Sequence, residues 1–201
     1  MNTQLKEFIK QLDINTISEE RKQVLNYVIE YLKTKPKEEI INMNFICTHN
    51  SRRSHLGQIW MQTMADFFNI KNIRTYSGGT EATAMAKPIV DLLQKQGFQV
   101  TALSNENNTV FAIKNHINSL PIIGFSKRYE HCFNPSSNFI AIMTCSQADE
   151  GCPFVAGCDK RFAITYEDPK LYDNTQLEAE KYLERSIQIA TEMKYIITKI
   201  L

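Results

Sequence analysis

The stretch Cys47-Thr48-His49-Asn50-Ser51-Arg52-Arg53 separates a thiol from a guanidinium by five residues, and Ser54 follows at once. A loop that leaves a strand and enters a helix points successive backbone N–H groups inward, with the helix dipole behind them. That arrangement is an anion-binding nest. The same field favours a thiolate, so Cys47 reads as a nucleophile. Five intervening residues let the backbone wrap a tetrahedral anion while Arg53 returns as a two-pronged planar clamp. Ser54 can donate to the thiolate, and Asn50 can brace the loop from within. Thr48, His49, Ser51 and Arg52 complete the anion's surroundings. A cysteine and an arginine at this spacing also arise by chance beside an ordinary polar turn. The setting between a strand and a helix is what gives the spacing its meaning.

That setting comes from the flanking pattern. Residues 41 to 47 alternate as a short strand, with apolar side chains at Ile41, Met43 and Phe45. Leu56, Trp60, Met64 and Phe67 then share one helical face. A second strand covers 73 to 77, Gly78-Gly79 forms a turn, and a helix covers 87 to 96 up to Gly97. Strand–helix–strand–helix at these lengths predicts a parallel sheet with right-handed crossovers. Ligands of such sheets bind at the carboxyl ends of the strands, where Cys47 falls. Further on, 109 to 113 and 122 to 126 suit a hairpin, 138 to 145 a buried strand, and 161 to 166 a short strand. A last helix opens at Thr175-Gln176-Leu177-Glu178, which reads as a capping box. Before all of this, residues 1 to 40 form two helices, the second opened by a box at Thr16 to Glu19. They pack on the core or on a second copy of the chain.

Two further groups could do chemistry. Cys145 ends the buried strand at the same sheet edge as Cys47, and Cys152 follows after six polar or small residues that include Gly151. A segment of that kind can fold back and bring the second thiol to the first. Buried, inert cysteines are the competing reading. Zinc is another, with Cys145, Cys152, Cys158 and His131 or Cys132 as ligands, but gaps of six and five residues do not match the short spacing of structural zinc sites. Cys158 is read as incidental. Asp168 precedes Pro169, as turn-opening aspartates do. Near Cys47 and Arg53 its carboxyl could protonate a departing oxygen, with Glu167 as the alternative.

The bulk numbers fit one soluble globular domain of 201 residues, and 23 basic against 22 acidic side chains give no electrostatic case for nucleic acid. No apolar run suits a membrane span, and the first residues lack a signal-peptide layout. Five cysteines, an odd number, fit a reducing cytoplasm better than a disulfide framework.

The segment Asn44 to Ser54, with Trp60 beyond it, resembles the low-molecular-weight protein tyrosine phosphatase superfamily, which includes the thioredoxin-coupled arsenate reductases. Tyr76-Ser77-Gly78-Gly79-Thr80-Glu81 is similar to the family's turn after its second strand, and Asp168-Pro169 to its acid loop. The resemblance covers roughly residues 42 to 201. It implies a four-stranded parallel sheet in a flavodoxin-like three-layer α/β sandwich. Residues 1 to 40 then stand as an N-terminal extension and about 104 to 137 as an inserted hairpin. At His49 the sequence departs from the family's usual glycine, which matters if that position needs positive φ.

The resemblance also implies chemistry. In the reductases of the family a resolving pair stands where Cys145 and Cys152 stand. Cys47 would attack arsenate, Cys145 would attack the Cys47 sulfur and release arsenite, and Cys152 would take over the disulfide for thioredoxin to reduce. No bound cofactor is implied. A phosphatase acting on phosphotyrosine proteins or small phosphoesters needs only Cys47, Arg53 and Asp168. A non-catalytic oxyanion or redox sensor is the reading of another class, with residues 1 to 40 as a partner-binding or homodimer element.

Overall fold

The computed structural model describes residues 1–201. In chain order the elements are α1 (Thr3–Gln11), α2 (Glu19–Lys33), β1 (Ile41–Cys47), α3 (Arg53–Phe67), β2 (Ile73–Gly79), α4 (Lys87–Lys95), β3 (Gln99–Ala102), β4 (Phe111–Lys114), β5 (Ile122–Gly124), β6 (Phe139–Met143), α5 (Ser146–Gly151), β7 (Cys158–Ala163) and α6 (Glu178–Ile200). Short 3-10 turns cover Ile14–Thr16 and Pro169–Tyr172.

Four strands form the parallel sheet in the order β2-β1-β6-β7. Parallel strands are covered on both faces and therefore read as nearly continuous apolar runs. In β6 all five residues are buried, and β1 is buried except at Asn42. Helix α3 is buried at twelve of its fifteen residues, which suits a helix between the sheet and α6 rather than one with a wet face. Trp60, on α3, packs between Phe8 and Phe98 with ring centroids 5.5 and 5.2 Å away.

The expected hairpin forms from β4 and β5, and it gains a third strand, β3, that the sequence did not announce. Three of the four β3 residues are exposed, so no alternation marks them. Strand β2 runs on through Gly79, where a turn was expected. The Gly79 amide donates to the Lys127 carbonyl at 2.8 Å and its carbonyl accepts from the Tyr129 amide at 2.9 Å, which holds both glycines extended. A Cβ on Gly78 would lie 2.4 Å from the Tyr129 Cα, so only glycine admits this approach. Strand β7 begins three residues earlier than read, at Cys158.

The N-terminal helices belong to the main core. Leu5, Ile9, Leu25, Val28, Ile29 and Leu32 are buried in the same cluster as the sheet residues. Asn2 donates to the Gly97 carbonyl and Gln4 to that of Lys95. The cap of α2 is Ser18, accepting from the Arg21 amide at 3.2 Å, in place of the expected Thr16. At the start of α6 the expected pair acts one step displaced: Thr175 Oγ1 accepts from the Leu177 amide and Glu178 from the Asn174 amide. No helix is long and apolar enough to cross a membrane.

Candidate active site

Strand β1 delivers Cys47 to the carboxyl edge of the sheet, and α3 starts at Arg53. The loop between them is held from outside at almost every residue. The Cys47 carbonyl accepts from the Thr80 amide, that of Thr48 from Glu81, and that of Ser51 from Ala86. Ser126 and Thr83 hydroxyls donate to the His49 carbonyl at 2.8 and 3.2 Å. Gly79 fits against the loop because it lacks a side chain: a Cβ there would lie 2.6 Å from the Thr48 carbonyl oxygen and 2.7 Å from the Asn50 nitrogen.

The left-handed residue of the loop is Asn50, at φ 44°, and not His49. Asparagine tolerates this region better than other side-chain-bearing residues, so the departure at His49 costs the loop nothing in backbone strain. Asn50 is fully buried. Its Nδ2 donates to Ser54 Oγ at 2.8 Å, and its Oδ1 accepts from the Lys127 amide at 2.9 Å. Because Ser54 Oγ accepts from Asn50, its own hydrogen is free for the Cys47 sulfur, 3.1 Å away. The His49 imidazole leaves the loop for Glu81, with its Nε2 3.4 Å from the carboxylate.

Arg53 is buried against the sheet edge. Nη1 donates to the Tyr166 carbonyl at 2.9 Å and Nη2 to Asp168 Oδ2 at 2.6 Å, while Nε is buried with no partner. An unpaired buried donor on a cation is costly. Asp168 also accepts from the Lys170 amide, capping the 3-10 turn that Pro169 opens. The alternative acid, Glu167, is exposed and pairs with Arg185 at 3.3 Å. Asp168 is thus the carboxylate that the fold sets beside Arg53.

Arg52 is turned to another task. Its Nε donates to the Tyr182 hydroxyl at 2.6 Å and its Nη2 to Asp173 at 2.9 Å, while Tyr182 donates to Asp173 at 2.6 Å. Burial, together with the bond to Asp173, raises the Tyr182 hydroxyl well above its ordinary value, so it stays protonated. This triad anchors the loop to α6.

Cys145 is fully buried, with its sulfur 3.4 Å from Thr48 Oγ1. Cys47 and Cys145 lie in one apolar cluster, and Cys152, Cys158 and Tyr129 pack against it. The segment between Cys145 and Cys152, expected to be a pliable loop, is helix α5. The Cys145 sulfur caps its start, accepting from the Ala148 amide at 3.4 Å. Arg161, from β7, pins its end by donating to the Cys152 carbonyl at 3.0 Å and to Asp149. All five thiols are free. No group of three or more His, Cys, Asp or Glu side chains gathers to hold a metal ion.

Two buried basic groups behind the loop escaped the sequence reading. Lys127 is 1% exposed, with Nζ 4.4 Å from the Phe125 ring centroid, 5.4 Å from that of Phe133 and 3.3 Å from the Phe125 carbonyl. Burial lowers its ammonium to about 7. His55 lies 3.2 Å from Ser77 Oγ through Nδ1, and burial, with the charge of Lys127 next, lowers it to about 3, so the ring is neutral. The only signal for Lys127 in the sequence is its place among Phe125, Tyr129 and Phe133. Two clefts, of about 890 and 510 Å³, open elsewhere on the molecule, and Cys47 lines neither. A site for a single small ion needs no such volume.

No protein-family model matches the sequence, and no curated protein does. Solved structures do match in shape. A low-molecular-weight phosphotyrosine phosphatase from Vibrio cholerae O395 aligns with a TM-score of 0.52 at 12% identity, over 79% of this chain and 94% of its own. An arsenate reductase in a phosphate-binding state aligns at 0.51 and 17%, over 80% and 99%. An arginine phosphatase from Geobacillus stearothermophilus aligns at 0.50 and 15%, over 79% and 92%. At such identities the likeness speaks for architecture: this chain has the fold shared by the low-molecular-weight phosphotyrosine phosphatases and the arsenate reductases.

Proposed function

We propose that the chain is an oxyanion-transforming enzyme that uses the Cys47 thiolate, and specifically an arsenate reductase. The oxyanion reading rests on Arg53, whose buried Nε lacks a partner beside a loop that ends in the Ser54–Cys47 pair. The reductase reading rests on one observation, the Cys145 sulfur 3.4 Å from the hydroxyl of Thr48, the residue next to the nucleophile. A phosphatase needs no second thiol there.

The steps then balance as follows. The Cys47 thiolate attacks arsenic, and one arsenate hydroxyl leaves as water by taking a second proton from Asp168. The Cys145 thiolate attacks the Cys47 sulfur, the sulfur–arsenic bond breaks, and its electron pair stays on arsenic, giving arsenite. Two thiols have thereby reduced arsenic by two electrons. Cys152 attacks Cys145, releases the Cys47 thiolate, and leaves a disulfide for thioredoxin's dithiol. Phosphate chemistry is the second reading, favoured by the placing of the Asp168 carboxyl beside Arg53, from which, once protonated, it could serve an alcohol leaving group. The setting for either would be the cytoplasm.

Acid-quenched, arsenate-treated protein is expected to contain a Cys145–Cys152 disulfide by peptide mapping, and Cys152→Ser to trap Cys47–Cys145. In Cys145→Ser arsenate reduction should stop while any aryl phosphate hydrolysis survives. Full arsenate reduction in both mutants, or none in the wild type with thioredoxin, hands the site to the phosphatase reading.

A further inference from the structure

The larger cleft, of about 890 Å³, lies between α1, α3, β2 and the turn that joins β4 to β5. Its apolar lining includes Phe67, Ile70 and Ile122, and three cations line it from different places: Lys6 on α1, Lys71 before β2 and Arg74 within β2. All three are exposed, and none has an ion-pair partner. The one acidic side chain of the lining, Asp66, is already engaged: it accepts from Asn115 Nδ2 at 2.6 Å and from Gln62 Nε2 at 3.3 Å. With 23 basic and 22 acidic side chains in the whole chain, this excess of positive charge is local.

The turn beside the cleft adds an independent observation. His116 pins it: Nδ1 accepts from the Asn118 amide at 3.0 Å, and the His116 carbonyl accepts from the Ser119 amide and hydroxyl at 3.1 and 2.8 Å. Yet this fixed turn holds Ile117 67% and Leu120 84% exposed, and Phe133, also in the lining, is 43% exposed. Large apolar side chains held in water at one place mark a surface that a partner covers, and a turn already fixed loses little freedom when covered. We propose that this face binds an acidic segment of a partner protein that also carries large apolar side chains. Its carboxylates answer Lys6, Lys71 and Arg74, and its apolar side chains cover Ile117 and Leu120. A second copy of this chain does not fit, because a two-fold contact here sets the cations against themselves. The two aliphatic side chains favour a polypeptide over a nucleic acid, whose phosphates make no use of them.

Fluorescence anisotropy tests this with three short fluorescein-labelled peptides. One alternates glutamate with valine, one has lysine for each glutamate, and one has serine for each valine. The first should bind saturably, and the other two at least about tenfold more weakly. Lys71→Glu with Arg74→Glu should weaken the first by about tenfold, and Ile117→Ser with Leu120→Ser by about threefold. All four positions are exposed, so the thermal midpoints should not move. Lys6→Glu repeats the charge test from another element and should weaken binding in the same direction. The proposal is overturned if the glutamate–valine peptide does not bind saturably, if either counterpart matches it, or if the charge-reversed proteins bind it as the wild type does. It is equally overturned if a thymidine oligonucleotide displaces the peptide, or if sedimentation shows a dimer that Ile117→Ser with Leu120→Ser dissolves. Cys47 does not line this cleft, so a failure here leaves the oxyanion reading untouched.

Discussion

The three nitrogens of the Arg53 guanidinium have three fates: one holds the Tyr166 carbonyl, one holds Asp168, and Nε waits. Asp168 puts a negative charge beside the fork that an oxyanion would use. Asp168→Asn should lower turnover by roughly 10²–10⁴-fold if the carboxyl is the proton donor. It should also tighten oxyanion binding, since a negative neighbour is gone. Phosphate protection of Cys47 against alkylation measures the second effect, and weaker protection in the mutant would return Asp168 to a purely structural role. Lys127 gives a pH prediction. Below about pH 7 the native state carries the full cost of burying the ammonium. From there to the ordinary 10.5 the native state sheds the proton while the unfolded chain keeps it, so stability rises with pH. Lys127→Met should accordingly stabilise most at or below pH 7, on the order of 2 kcal/mol, because the ring faces and the Phe125 carbonyl already offset part of the burial. The gain should fade as the urea midpoint is followed towards pH 10.5, and a gain that is flat with pH would refute this account.

Among elements, α5 is the one whose stability bears on the chemistry. Cys152 lies seven positions after Cys145, about 10 Å along a helix, and a disulfide needs Cα atoms within roughly 7 Å. A Cys145–Cys152 disulfide, as the proposed reductase chemistry would form it, therefore requires α5 to unwind and Arg161 to let go. Gly151 has open space where a Cβ would go, so Gly151→Ala should strengthen the helix without a clash. It should slow Cys145–Cys152 disulfide formation by about two- to fivefold, and Arg161→Gln should speed it; alkylation time courses read both. The pattern that hid α5 also marks the limit of what the residues announced. Strand β6 was legible because burial on both faces leaves a continuous apolar run, β1 from alternation at Ile41, Met43 and Phe45, and α3 from the spacing of Leu56, Trp60, Met64 and Phe67. Six polar and small residues capped by a sulfur leave no such mark. Cys47, Asn50, Arg53 and Ser54 were legible from their spacing within a strand-to-helix setting, since a loop that short brings them together. Arg52 was not: its partners Tyr182 and Asp173 are more than a hundred residues away, and its place in the loop set it among the anion's surroundings.

On the scale of the whole molecule, the N-terminal helices reach the site through a chain of polar contacts. Arg21, on α2, meets Glu192 of α6 through two bonds of 2.8 and 2.9 Å. The Tyr166 hydroxyl donates to the same carboxylate at 2.7 Å, and the Tyr166 carbonyl holds Arg53. Glu192 is 2% exposed, so removing Arg21 strands a buried charge. Arg21→Met should lower stability on the order of 3 kcal/mol, and Arg21→Met with Glu192→Leu should recover much of it. Urea denaturation of the four proteins of the cycle measures the coupling. Additive losses would mean that the pair does not act as a unit.

The anchor of the loop stands 130 residues downstream of it, at Tyr182. At a synthesis rate of about 5–20 residues per second, that separation is roughly 6 to 26 s of translation. Through that interval the nascent chain has made Cys47 and its loop but not the side chain that fixes Arg52, nor the Glu192 behind Tyr166. Long-range closure of this kind comes late in folding. The loop around Cys47 thus reaches its final geometry only after α6, the last element, has been made.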